Sequence, residues 1–279
     1  MPGPAPHAPP TPPAAEGHGP VHHRVPVISL AGAAGPTVTL PAAFSSAVRP
    51  DLIRRAVVAS RANQRQPHGT TPTAGLRHSV EWSGKGKGVS RTPRLMDSNR
   101  GAQAPNTVGG RPAHPPRIET VWRKKINVTE GRRAFAGALS ATRDAALARA
   151  RGHTVPEKIH LPVVLEDPVE EIASAVEARK LLGRLDLWED VTRAQLGVHV
   201  RAGRGKRRGR RRREPKSLLF VVSRPGRGLG FRNLSGVDVV PIGRLGTEDL
   251  APGGTPGRLT LFSRGSLEAL RHRLREVAA

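Results

Sequence analysis

The sequence predicts an α/β fold: a layered α/β/α domain on a mainly parallel central sheet, with a long extended loop and a disordered N-terminal tail. Three observations carry this expectation. From Ile126 onward strand and helix patterns alternate, as in layered α/β sheets. The run SLLFVVS at 217–223 is almost wholly apolar, as a strand buried on both faces requires. Residues 66–116 interrupt the pattern with many Gly and Pro, few aliphatic side chains and no period of 2 or 3.6.

The elements follow in order. Residues 1–24 hold Pro, Ala, Gly and His with almost no large apolar side chain, too little to offset the entropy of ordering, so a disordered tail is expected. RVPVISL (24–30) and TVTL (37–40) read as two strands joined at Gly32–Pro36. A helix is expected over 49–65, with Pro50 in its first turn and Leu52, Ile53, Ala56, Val57 and Ser60 on one face. Asn127 with Glu130 predicts a capping box. It opens a helix that places Ala134, Phe135, Ala138, Leu139 and Thr142 together and stops near Gly152. LPVVLE (161–166) is a strand, and Asp167 and Pro168 suit the start of a helix running through Ile172, Val176, Leu181, Leu182 and Leu185. VDVVPI (237–242) and RLTLF (258–262) add two strands, and a basic helix from Ser266 to Val277 closes the chain. The expected domains are therefore 1–24 as tail, 25–60 with 117–279 as the globular part, and 61–116 as the loop.

Charge narrows the function. The 279 residues carry 46 Lys and Arg against 22 Asp and Glu, a net charge of +24. A polyanionic partner relieves that self-repulsion, and nucleic acid is the commonest one. An anionic membrane would call for a basic amphipathic helix or lipid anchor, and neither pattern is present. Without cysteine there is no disulfide and no Cys-based zinc site. No apolar run reaches the ~18 residues of a membrane span, and no apolar signal core opens the chain, so a cytoplasmic protein is expected. Aromatic residues make up 3% and Tyr is absent, which favours contacts to phosphates and folded RNA shape over splayed bases.

Two basic segments stand out. Arg61 to Arg117 holds ten Lys/Arg against Glu81 and Asp97, and its glycines allow the backbone to approach phosphates. The candidate RNA contacts on and beside it are Arg61, Arg65, Arg77, Arg100, Arg111, His114, Arg117, Arg123, Lys124 and Lys125. RAGRGKRRGRRRREPK (201–216) holds ten more cations and one acid between a helix and a central strand. It reads as an RNA clamp through Arg204, Lys206, Arg207, Arg208, Arg210, Arg211, Arg212 and Arg213.

Enzyme signatures are missing. No GxxxxGK[ST] phosphate loop occurs. SRPGRGLGF (223–231) offers Gly226, Gly228 and Gly230, but Phe231 stands where a dinucleotide turn needs its last glycine, so no nucleotide cofactor is expected; Arg224 and Arg227 suit phosphate of any kind. His22 and His23 lack Cys or acidic companions, so no metal is expected. His114 has no base–nucleophile partner nearby, and Glu170 and Glu171 read as helix-start carboxylates favouring the helix dipole.

Four segments together carry a family likeness. EWSGKGKGVSRTPRL (81–95) keeps Gly84, Gly86, Lys87, Val89, Arg91, Pro93 and Arg94 in register. GGRPAHPPR (109–117), INVTEGRRAFAGALSATRD (126–144) and TEDLAPGGTPGRLTLFSRGSLEAL (247–270) follow. The combination resembles the universal large-subunit ribosomal protein L-four family, in its archaeal and eukaryotic branch, over 25–279; EDLAPGGTPGRLT is the most specific part. The resemblance implies a non-enzymatic constituent of the large subunit that binds large-subunit rRNA beside neighbouring ribosomal proteins. It also implies a loop reaching the wall of the nascent-peptide exit tunnel. Its tip is Gly84, Lys85, Gly86, Lys87, Gly88, Val89, Ser90, Arg91, Thr92, Pro93 and Arg94. Neither a membrane nor a homo-oligomer is expected. A free RNA-binding regulator and a nucleotide-dependent enzyme with a basic insert are the readings that compete with it.

Overall fold

The computed structural model describes residues 23–278. The tail expected over 1–24 therefore lies almost wholly outside the described residues, and its last residue, Arg24, instead opens the first strand.

In chain order the elements are β1 (Arg24–Ile28), β2 (Ala34–Thr39), α1 (Pro50–Asn63), β3 (Val80–Glu81), β4 (Arg94–Leu95), α2 (Val128–Ala141) and α3 (Ala145–Ala150). Then come β5 (Val163–Leu165), α4 (Ala175–Arg184), α5 (Trp188–Leu196), β6 (His199–Val200), β7 (Arg212–Arg213), β8 (Leu219–Val222) and α6 (Leu229–Arg232). The last are β9 (Asp238–Pro241), α7 (Thr247–Leu250), β10 (Thr260–Ser263) and α8 (Arg264–Ala278). Two compact units result: the chain up to Val58 with Ile126 onward, and Ala59–Lys125.

The first unit is built on a six-stranded sheet in the order β2-β1-β5-β10-β8-β9. Every pairing is parallel except the β1–β2 hairpin at one edge. Alternation along the strands feeds two cores. Val163, Leu165, Phe220, Val222 and Leu261 face Leu181, Leu182 and Val191 of α4 and α5. Val164, Leu219, Val221 and Phe262 face Ile53 of α1, Ala138 and Leu139 of α2, and Leu267 and Leu270 of α8. Each such Leu or Phe contributes about 1.5–3 kcal/mol by leaving water. This is the layered α/β/α arrangement that the apolar runs predict.

Helix starts differ from expectation. Asn127 does cap α2, its side chain accepting from the Thr129 amide at 3.0 Å. The box is not closed, because Glu130 turns to Arg55 at 3.2 Å instead. The single helix expected up to Gly152 is two helices. Asp144 accepts from the amides of Ala146 (2.8 Å) and Leu147 (3.4 Å) and so begins α3 as a new helix. Asp167–Glu171 forms one 3-10 turn, and α4 begins only at Ala175. Ile172 is thus outside any helix, and Val176 is 61% exposed. The cause is a tie to the sheet: Glu170 is buried and accepts from the Ser223 amide (2.6 Å) and hydroxyl (2.7 Å) just beyond β8. Glu170 therefore anchors this turn to the segment that follows β8 and is not a helix-dipole carboxylate.

Two buried ionic clusters hold the open end of the sheet. Arg258 is 1% exposed, and its guanidinium donates to the carbonyls of Ser217 (3.0 Å), Asp249 (2.9 Å) and Leu218 (3.2 Å) and to the Asp238 carboxylate (2.6 Å). Lys216 also donates to Asp238, at 2.8 Å. Asp190 is fully buried and accepts from His153 Nδ1 (3.0 Å), the Thr154 amide (3.0 Å), Arg193 (2.9 Å) and the Ser217 hydroxyl (2.6 Å). Burial alone would raise both carboxyls. The hydrogen bonds to His153 and Arg193 outweigh it at Asp190, and Arg258 with Lys216 outweighs it at Asp238, so both titrate below the ordinary carboxylate range.

A carboxyl depressed in the folded state lends stability that is complete above its unfolded pKa of about 4 and is lost as pH falls through the lower folded value. Asp190→Asn should therefore lower stability at neutral pH and flatten the remaining loss between about pH 4 and pH 2. Urea unfolding across that range checks it. Arg258→Leu leaves the Ser217 and Asp249 carbonyls without this donor and Asp238 with Lys216 alone, and should cost about 2–3 kcal/mol at pH 7, read from the same curves.

Candidate nucleic-acid interface

In the unit Ala59–Lys125 the chain continues from α1 and doubles back on itself. The Thr70 amide donates to the Pro116 carbonyl at 3.2 Å, and the Gln103 side-chain amide donates to the carbonyls of Leu76 (3.0 Å) and His78. At the far end β3 and β4 pair antiparallel, Val80 with Leu95 and Glu81 with Arg94. The Leu95 amide donates to Arg100 (2.9 Å) and the Ala102 amide to Pro93 (2.8 Å), folding 95–102 back on the hairpin. The sequence shows no periodicity here because strands of two residues are too short to display one.

Glycine does two different jobs in this unit. A Cβ on Gly75 would lie 2.6 Å from the Arg111 amide nitrogen, and one on Gly110 would strike the Ala104 carbonyl. Gly75 lets the two arms of the loop close on each other, and Gly110 lets the returning arm turn tightly on Ala104. Gly84, Gly86 and Gly88 adopt φ of 64°, 82° and 65°, with nothing within 4 Å of where a side chain would begin. They set the backbone turn of an open tip.

The cations lie on the outside. Arg61, Arg65, Arg77, Arg100, Arg111, His114, Arg117, Arg123, Lys124 and Lys125 are all exposed. Arg77 donates to the Thr73 hydroxyl at 3.2 Å, and the Arg65 guanidinium lies 5.1 Å from the centre of the Trp122 ring. At the tip, residues from Gly84 through Arg91, including Lys85, Lys87, Val89 and Ser90, are exposed. Thr92 is half-buried and Pro93 buried, while half-buried Arg94 donates to the Asn99 carbonyl at 2.7 Å. Those three residues form the base of the hairpin. Sequence reasoning passed over His68 and Trp122, whose rings stack with 6.2 Å between centres and 8° between planes. The one signal for them was an aromatic residue inside the basic stretch VWRKK.

The second basic segment belongs to the sheet-bearing unit and is also a hairpin. His199 pairs with Arg213 and Val200 with Arg212, and the Arg201 amide continues the ladder to the Arg211 carbonyl at 2.8 Å. A 3-10 turn over Arg204–Arg207 fills its end. Arg204, Lys206, Arg207, Arg208, Arg210, Arg211, Arg212 and Arg213 are exposed, and among the described residues none of them forms an ion pair. The neighbouring acid, Glu214, forms no ion pair with them and accepts from the Gly236 amide at 2.7 Å.

The glycine-rich turn after β8 is occupied by the protein itself. The Gly228 amide donates to the Glu170 carbonyl (2.6 Å), the Gly230 amide to the Ile172 carbonyl (2.9 Å), and Arg227 pairs with Glu171 (2.7 Å). Those amides are not left pointing at a phosphate. Among the described residues no cluster of three or more His, Cys, Asp or Glu could hold a metal ion, and no helix is long and apolar enough to cross a membrane.

Known proteins share this chain's pattern. The model of the ribosomal protein L4/L1 family matches residues 38–273. A protein of Methanopyrus kandleri named large ribosomal subunit protein uL4 is 47% identical over 259 residues, covering 91% of this chain and all of that protein. Proteins of the same name from Pyrobaculum aerophilum (45% identical, 89% of each chain) and Methanothrix thermoacetophila (44%, 89% of this chain and 98% of the other) are similar too.

The unpaired hairpin cations should each act on phosphate. Replacing Arg207, Arg208, Arg210, Arg211, Arg212 and Arg213 by Gln should leave the circular-dichroism spectrum unchanged. The slope of log K against log salt for RNA should become shallower by about 0.7–0.9 for every phosphate that is no longer neutralised. An unchanged slope would mean that this hairpin only faces water.

Proposed function

The chain belongs to the ribosomal protein L4/L1 family, and on that premise we propose that it binds large-subunit rRNA and helps form the wall of the nascent-peptide exit tunnel. Its role is that of a structural, non-enzymatic constituent of the large subunit of the cytoplasmic ribosome. The observation that carries the RNA-binding reading is the hairpin of eight exposed cations without an acidic partner among the described residues. Phosphates would relieve the mutual repulsion of so dense a charge. The loop supports the tunnel reading: its cations lie outward along both arms, and its tip is a narrow glycine turn with open space around it. Neighbouring large-subunit proteins are the other partners in this reading.

Sedimentation tests the first half. The tagged chain expressed in cells should travel with large subunits through a high-salt cushion; recovery only in the free fraction would indicate a free RNA-binding regulator instead. Tip variants test the second half. Lys87 and Arg91 place charge where the passage is confined and screening is weak. Lys87→Ala with Arg91→Ala should leave incorporation into subunits nearly intact and change ribosome pausing on basic nascent segments, read by ribosome profiling. Poor assembly with normal pausing would place both side chains on phosphates away from the tunnel.

A further inference from the structure

At the root of the loop, where its outgoing and returning arms meet, lies a groove of about 630 Å³ lined by Asn63, Arg65, Pro67, Ile118, Val121 and Trp122. Three features set it apart from the rest of the basic surface. The first is an aromatic stack: Trp122 lies nearly parallel to His68, and the Arg65 guanidinium sits 5.1 Å from the centre of the indole. The second is apolar surface left in water beside the stack, with Ile118 62% and Val121 83% exposed. The third is an unmet hydrogen bond. The indole Nε1 of Trp122 is buried and has no acceptor. Indole nitrogen only donates, and a buried Trp N–H ordinarily finds a partner.

We propose that this groove takes an unpaired nucleobase of RNA, which extends the His68–Trp122–Arg65 stack; an oxygen of the same nucleotide then accepts from Trp122 Nε1 once the atoms that cover this donor in the free chain move aside. Charge selects RNA over an apolar peptide. Of the charged residues that line the groove, Arg65 and Arg123 outnumber Glu119, and the adjoining exposed residues Arg117, Lys124 and Lys125 add only positive charge. A nucleotide supplies both things the groove lacks: a flat π face for the stack and oxygens for the orphan donor. The scarcity of aromatic residues argues against base reading by the chain as a whole. The structure gathers one of the three Trp residues with a His and an Arg at a single point where the phosphate-binding surface is already dense. The inference rests on the RNA-binding reading above and adds to it one site for a base, where that reading needs only phosphates.

The test uses the full chain with Trp82→Phe and Trp188→Phe, so that Trp122 is its only indole. An unstructured RNA octamer and a blunt RNA duplex of equal charge are titrated in at the same salt. The octamer should quench Trp122 emission and the duplex should bind without quenching. Trp122→Ala should weaken the octamer about tenfold, in the range of a single stacked base, and leave the duplex unchanged. Trp122→Phe, which keeps a ring but loses the donor, should fall between. Duplex binding with a normal salt slope, but no quenching by the octamer, would overturn this inference alone. Equal weakening of octamer and duplex by Trp122→Ala would also overturn it, by showing a structural role. No binding of either RNA would overturn the RNA-binding reading and this inference together.

Discussion

The sheet depends on a guanidinium in a place where charge is costly. Arg258 precedes β10, the strand that enters last in the chain and lies in the middle of the sheet. Its four hydrogen bonds reach the start of β8, the first residue of β9 and the end of α7. A buried cation is tolerated only when its partners are complete, so these bonds require β8, β9 and α7 to be in register together. Asp190 does the same from the acidic side, drawing His153, Arg193 and Ser217 onto one carboxylate. Both clusters meet at Ser217, whose carbonyl serves Arg258 and whose hydroxyl serves Asp190.

Cations in this protein thus fall into two populations. Arg258, Arg193, Lys216 and Arg227 have acidic partners and fix the fold. The cations of the 204–213 hairpin have none among the described residues and stand exposed on a short hairpin whose ladder is held by backbone hydrogen bonds. Residue type does not separate the two groups, since arginine dominates both. The acids do: Asp238, Asp190 and Glu171 are spent on the fold, and Glu214 is turned onto a backbone amide.

Strands were the most legible elements. Buried parallel strands need continuous apolar runs, and LPVVLE, SLLFVVS and RLTLF all contain one, so β5, β8 and β10 fall inside them or run one residue past. Helix boundaries were less so. Asp167–Pro168 has the chemistry of a helix start, yet Glu170 is held to Ser223, more than fifty positions away. Asn127 and Glu130 have the spacing of a capping box, yet Arg55 competes for the glutamate. In both cases a local preference worth about a kcal/mol yields to a long-range partner that no window of sequence contains.

The sequence by itself determined the alternation of the globular unit, the net charge of +24 and the two segments richest in unbalanced cations. Those properties follow from composition and period, which belong to each stretch of chain alone. Only the tertiary structure decided which glycines close the loop on itself and which leave its tip open, because that depends on what lies across from each. It also decided that His68, Arg65 and Trp122 share one stack. More than fifty residues separate His68 from Trp122, and they meet only because the loop between them returns to its own root.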